Sequence, residues 1–329
     1  MSLDEKIGQL LLVRVPEKNK LDPIKNYNIG GYILFNRDID NKSKLQLQMD
    51  IANFQKIAKI PLLIAIDEEG GTVSRISSNK KIVKNKFLSP QELYKIGGLE
   101  KIRIDAITKR NLLEELGFNI NLAPVADVSL DINSYIYPRT FGGDYKETAE
   151  YIKTVLSTQN KNVSYVLKHF PGYADNLDTH IDISVDNREC ESIFNDDFLP
   201  FKSGIDNGAM AIMMSHNITS CIDDKPSSIS RKMHNILRSK LNFKGIIMTD
   251  DLTMAGINKY SSNNIYVDAI KAGNNLLIVN DYEKAFKQIK NAILTDELNE
   301  KLIDVLVKLV IEFKIDKNLI SIDDIGFYS

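Results

Sequence analysis

The sequence predicts an α/β fold, a single (β/α)8 TIM-like barrel. Three observations lead there: eight short, nearly continuous apolar runs; longer helix-patterned stretches between them; and a length of 329 residues without a linker or internal repeat. The expected strands are 9–15, 31–35, 62–66, 118–122, 163–167, 209–214, 245–248 and 275–279. Runs that are apolar at nearly every position suit parallel strands buried on both faces. Helical patterns occupy 43–57, 101–116, 145–159, 232–241 and 282–294, and a closing helix is expected over 298–314. Ser43 stands where an N-cap belongs, and Gly117 and Gly273 where a helix needs a left-handed C-cap. A doubly wound open sheet shares this local signature, but eight strands suit closure into a barrel. One domain over residues 1–329, with no second domain, is the expectation.

Composition narrows the partners. The 42 basic residues nearly balance the 44 acidic ones and form no basic block, which argues against nucleic acid or an anionic membrane as the main partner. No apolar run approaches the roughly 20 residues of a membrane span. The first residues carry no signal-peptide pattern, so a cytoplasmic location is expected, although a trimmed chain would look the same. Cys190 and Cys221 are too few for a disulfide framework and are expected to stay as thiols in a reducing compartment. With no tryptophan present, any sugar-stacking surface must be Tyr, Phe or an Arg plane.

Barrel enzymes place their sites at the C-terminal ends of the strands, where this chain concentrates its chemically active side chains. Asp67, Glu68 and Glu69 follow the third expected strand, Asn121 and Asp127 flank the fourth, and Lys168 and His169 follow the fifth. Ser215 and His216 follow the sixth, Asp250 and Asp251 the seventh, Asn280 and Asp281 the eighth. A solvated or capping role explains any one of them; their recurrence at six strand ends points to a site. His234, in a helical stretch, reads as structural.

Asp178 stands two residues before His180, so an extended loop can set both on one side. The carboxylate then fixes the imidazole tautomer and leaves the other nitrogen for proton transfer. Such a histidine facing the Asp250 carboxylate could break a glycosidic bond by double displacement. Lys168 is a cation suited to keeping the nucleophile ionised. Asp67 can accept two hydroxyl hydrogen bonds, Arg75 and Arg139 offer forked donors, and Gly70 and Gly71 would let backbone approach a ligand closely.

These residues fall in segments that resemble glycoside hydrolase family 3, in its single-barrel β-N-acetylhexosaminidase branch. Residues 3–9 look like that family's opening helix, and 66–75 resemble its D-x-E-G-G-x-V-x-R segment. Residues 121–127 resemble N-x-A-P-V-x-D, 139–142 R-x-F-G, 168–172 K-H-F-P-G, and 249–254 [ST]-D-D-L-[ST]-M. Five motifs in family order cover nearly the whole chain. The resemblance implies a retaining exo-β-N-acetylglucosaminidase acting on cell-wall muropeptides or related β-linked glycans, with no metal and no organic cofactor. It implies Asp250 as nucleophile, His180 as acid/base and Asp178 as its dyad partner. Asp67, Arg75, Arg139, Lys168 and His169 would bind the terminal sugar. Asp251 reads as a cap for the following helix.

Two residues depart from the pattern: Tyr173 and Ala174 stand where the family usually has His and Gly, and the loop to His180 is one residue shorter. The expected effect is a retuned aglycone side, slower loop closure or lost activity. Asp175 is a second, lesser candidate partner for His180. Three other readings compete. A phosphorylase on the same scaffold would pass the sugar to phosphate, and a sugar-binding pseudoenzyme would lack turnover. A metal-dependent hydrolase would use His169, His180 and His216, but the first strand lacks the His-x-His it would need. The sequence is silent on oligomeric state.

Overall fold

The computed structural model describes residues 1–173, 184–253, 257, 260 and 264–321. Eight parallel strands form the barrel: β1 (Leu11–Arg14), β2 (Gly31–Leu34), β3 (Leu63–Ile66), β4 (Ile120–Asn121), β5 (Ser164–Phe170), β6 (Ala211–Met214), β7 (Ile246–Thr249) and β8 (Leu277–Val279). Each pairs with its neighbour in chain order from β1 to β7, and β1 also pairs with β8. A parallel bridge between Met248 and Leu276, with Thr249 N–H donating to Leu276 O at 3.0 Å, closes the circle between β7 and β8. All eight expected strands therefore lie in the barrel. Gln9 is the exception at the margin: it ends helix α1 (Leu3–Gln9) instead of starting β1.

The strands are buried almost end to end, because one face fills the barrel and the other packs under helices. Arg14, closing β1, is the residue that breaks the pattern by being only partly buried. Local signals set the helix ends. Ser43 caps Lys44–Ile57 with a reciprocal capping box through Gln46, and Gly117 and Gly273 adopt left-handed φ values of 93° and 116° at C-caps. The helix expected from 101 begins earlier, at Pro90 under a Ser89 cap, and runs to Leu116 across a break at Gly97 and Gly98. The closing helix spans Glu300–Asp316.

One expectation fails. Cys190 and Cys221 form a disulfide, their Cα atoms 5.6 Å apart, and no free cysteine remains. Beside them, Val185–Asp186 and Ile218–Thr219 pair as two short parallel strands above the barrel. That pairing brings together two cysteines 31 residues apart, a proximity that a cysteine count cannot reveal. The compositional argument for a reducing compartment falls with the thiols. Among the described residues, no helix is long and apolar enough to cross a membrane.

Candidate active site

At the C-terminal end of the barrel lies a cavity of about 260 Å³. Asp67, Arg75, Arg139, Lys168, His169 and Asp250 all line it, together with Arg14, Phe35, Tyr135 and Asp251. The six expected residues come from three different strand ends and two loops, so only closure of the barrel brings them together. Asp178, His180, Asp175 and Ala174 lie outside the described residues.

The cationic side of the cavity is built around Glu69. Its carboxylate receives Arg139 through two parallel bonds, Nη2 at 2.8 Å and Nε at 3.1 Å, and Lys168 Nζ at 2.6 Å. Lys168 Nζ also donates to Asp67 Oδ1 at 2.7 Å. Burial opposes ionisation of Glu69, yet the two cations outweigh it and hold the carboxyl at about 2. Burial likewise opposes the charge on Lys168 and Arg139, while the facing carboxylates, Asp67 first for Lys168 and Glu69 for Arg139, push both pKa values up. The network is charged throughout, a preformed set of donors and acceptors for an oxygen-rich ligand.

His169 is oriented by Asp127. Asp127 Oδ2 lies 2.7 Å from Nδ1 and also accepts the His169 backbone N–H, while Oδ1 accepts the Tyr173 N–H at 2.8 Å. The network places a proton on Nδ1 and leaves Nε2 to accept from Arg139 Nη2 at 3.3 Å. Tyr173 is buried with its ring edge-on to His169, centroids 5.2 Å apart, so it supports the imidazole from behind and is absent from the cavity lining.

Glu68 faces inward and positions Arg75. Its carboxylate accepts the backbone N–H groups of Arg75 at 2.8 Å and Ile76 at 2.6 Å, and the Ser77 hydroxyl at 2.6 Å. This pins the short hairpin formed by Glu68–Gly70 and Val73–Ser74. Gly70 and Gly71 serve this hairpin and not a ligand. Both have positive φ, and a Cβ there would meet Leu88 O at 2.2 Å or Ser89 Cβ at 2.7 Å. The expected close approach of glycine backbone to ligand is corrected accordingly. Arg75 reaches back into the cavity, donating to Asn36 Oδ1 at 3.0 Å and passing 3.9 Å from Asp67 Oδ2.

Asp250 follows β7 and accepts the Asp251 N–H on Oδ1 at 2.8 Å. Burial raises its pKa, but the nearby His169 and His216, the Asp251 N–H and Lys168 together carry it below the ordinary carboxylate value. Lys168, the permanent cation among these groups, is itself engaged by Asp67 and Glu69. His216 braces the segment from below: Nδ1 lies 2.8 Å from Ser228 Oγ and Nε2 donates toward Asp251 O at 3.0 Å. Burial depresses its pKa and favours the neutral ring. Asp251 Oδ1 accepts both the N–H and the hydroxyl of Thr253, at 2.9 and 2.7 Å; the helix it was expected to cap lies outside the described residues. His234 is buried in a short helix, with Nδ1 against Ser230 O and its pKa pushed by burial to about 4. Among the described residues, no group of three or more His, Cys, Asp or Glu side chains could hold a metal ion.

Sequence reasoning placed Glu69 and Asp127 at strand ends without a role. Their pairing with cations or imidazole 42 to 99 positions away is visible only in three dimensions. Arg14 and Phe35 carried no signal beyond closing their strands.

A parallel eight-stranded barrel with ionised carboxylates and paired cations round one end cavity is an arrangement that suits a glycosidase. The chain belongs to glycosyl hydrolase family 3, whose N-terminal domain model matches residues 2–313. It is 33% identical over 264 residues to a β-hexosaminidase of Nitrosomonas eutropha, covering 78% of this chain and 75% of the relative. Among solved structures it resembles a family 3 β-N-acetylglucosaminidase from Paenibacillus sp. str. FPU-7, with TM-score 0.88 and 26% identity. That match covers 97% of this chain but only 63% of the longer Paenibacillus protein. A β-N-acetylhexosaminidase from Beutenbergia cavernae matches with TM-score 0.84 and 25% identity over 95% of this chain and 98% of its own.

Proposed function

We propose that this glycosidase is a retaining exo-β-N-acetylglucosaminidase that removes terminal β-linked N-acetylhexosamine from cell-wall muropeptides or related glycans. The observation that carries the reading is Asp250: a carboxylate at the end of β7, kept ionised and lining a cavity that Asp67, Arg75, Arg139 and Lys168 line with it. The names of the β-hexosaminidase and β-N-acetylglucosaminidase relatives support the acetamido sugar as substrate. Residues 1–329 are read as one barrel domain, a reading supported by the near-complete overlap with the Beutenbergia chain.

In this mechanism the terminal sugar enters with its hydroxyls against Asp67, Arg75 and Lys168, while Arg139 and His169 complete the subsite. A cavity just below the usual ~300–1,000 Å³ of small-molecule sites favours a single sugar ring. Asp250 attacks the anomeric carbon, and His180, its tautomer set by Asp178, protonates the departing glycosidic oxygen. A glycosyl ester on Asp250 forms as the C1–O bond to the aglycone breaks. His180 then takes a proton from water, the water attacks the anomeric carbon, and the carboxylate leaves with net retention.

The test is nitrophenol release from the aryl β-N-acetylglucosaminide beside the matching β-glucoside, with wild type and Asp250→Ala. Turnover of the acetamido sugar alone, abolished in the variant, is expected. A variant rate close to wild type sinks Asp250 as nucleophile, and a folded wild type silent on both sugars sinks the hydrolase reading.

A further inference from the structure

Arg14 is the odd member of the cavity wall. The other cations there have oxygen partners: Lys168 bonds Asp67 and Glu69, Arg139 is doubly bonded to Glu69, and Arg75 bonds Asn36. Arg14 makes no hydrogen bond or ion pair with any described residue, and its Nε is fully buried without an acceptor. Its guanidinium sits over Phe35, the carbon 4.3 Å from the ring centroid, and Arg75 flanks the same ring at 5.7 Å. The buried Nε of Arg75 also lacks a partner.

A guanidinium donor left unsatisfied in a partly buried site costs roughly 1–3 kcal/mol. The cation–π contact recovers part of this, about 0.5–2 kcal/mol, but supplies no acceptor. Neighbouring β1 positions hold Leu12 and Val13, so the strand itself has no need of a charge here. Contact with Phe35 restrains the guanidinium, whose fork suits bidentate contact with carboxylate, phosphate or sulfate.

We propose that Arg14, held on Phe35 and seconded by Arg75, forms an oxyanion subsite that selects substrates carrying a carboxylate, phosphate or sulfate on the bound saccharide. The inference rests on the glycosidase reading of the same cavity. Arg14 thereby sets specificity: its charge-assisted donors hold an oxyanion more strongly than a neutral hydroxyl, and its charge offsets repulsion from Asp250 and Asp251, which line the same cavity.

The test measures binding by titration calorimetry, independently of turnover. The ligands are N-acetylglucosamine, N-acetylglucosamine 6-phosphate, N-acetylmuramic acid and inorganic phosphate, with wild type, Arg14→Met and Arg14→Lys. Methionine keeps the apolar stem on Phe35, lysine keeps the charge without the fork, and thermal melting verifies that each variant folds. At least one anionic sugar should bind wild type 10-fold or more tighter than N-acetylglucosamine. That preference should fall below threefold in Arg14→Met and be intermediate in Arg14→Lys. No anionic preference in wild type, or one that survives in Arg14→Met, overturns the subsite. Arg14-dependent binding of inorganic phosphate without preference among the sugars overturns the substrate-borne source and assigns the subsite to a free oxyanion. Anionic preference in a protein that releases no nitrophenol would sink the hydrolase reading alone; turnover without the preference would sink the subsite alone.

Discussion

Replacing Glu69 by glutamine removes one charge from the centre of the cationic wall with almost no change in shape. The carboxyl titrates at about 2 in place of the ordinary 4.5. Each tenfold change in proton affinity is worth about 1.4 kcal/mol, so the ionised group contributes on the order of 3 kcal/mol at neutral pH. Removing one partner of a buried ion pair costs about 3–5 kcal/mol by independent reasoning, because Arg139 and Lys168 are left undercompensated. For 329 residues, an unfolding entropy of roughly 2.1 cal/mol/K per residue turns this into a fall in Tm of about 4–7 °C. The pH dependence has a definite sign. The folded pKa is depressed, so the contribution is complete above pH 4.5 and is lost as pH falls toward 2. Close to half should be gone by about pH 3.5. Thermal unfolding of wild type and Glu69→Gln at pH 7 and at pH 3.5 measures both quantities. A gap under about 1 °C at pH 7, or one equally wide at pH 3.5, would refute the reasoning.

Two further outcomes are expected. The disulfide links positions 31 apart, and loop-closure entropy predicts that Cys190→Ala/Cys221→Ala loses about 3–4 kcal/mol of stability; a denaturation midpoint unchanged by the double substitution would contradict this. His180→Ala should slow substrates with poor leaving groups far more than activated aryl glycosides, since the latter need little protonation. Equal losses on both substrate types would make His180 structural.

The barrel was legible because its strands are buried on both faces, which forces continuous apolar runs that no exposed segment would carry. The same constraint marked the strand ends, where polar residues first become tolerable, and so pointed to Asp67, Lys168, His169 and Asp250. Helix ends were less legible. Pro90 and Ser89 start the long helix well before its apolar pattern becomes regular, and Gly97–Gly98 interrupt that pattern. The roles of Glu69 and Asp127 were hidden because a carboxylate next to a strand end looks alike whether it meets solvent, sugar or a cation. Gly70 and Gly71 were misread for a related reason: positive φ and close approach are local properties, but whether the neighbour is a ligand or Leu88 and Ser89 is not.

What the sequence determined by itself was the architecture and the inventory of reactive groups, since periodicity, burial on two faces and capping are encoded within short stretches of chain. Tertiary structure decided how those groups are matched. Closure of the barrel set Glu69 between Arg139 and Lys168, turned Asp127 onto His169, joined Cys190 to Cys221 and left Arg14 on Phe35 without an oxygen partner. Charge pairing falls off within a few ångströms and depends on burial, so it is settled by distances between elements far apart in the chain.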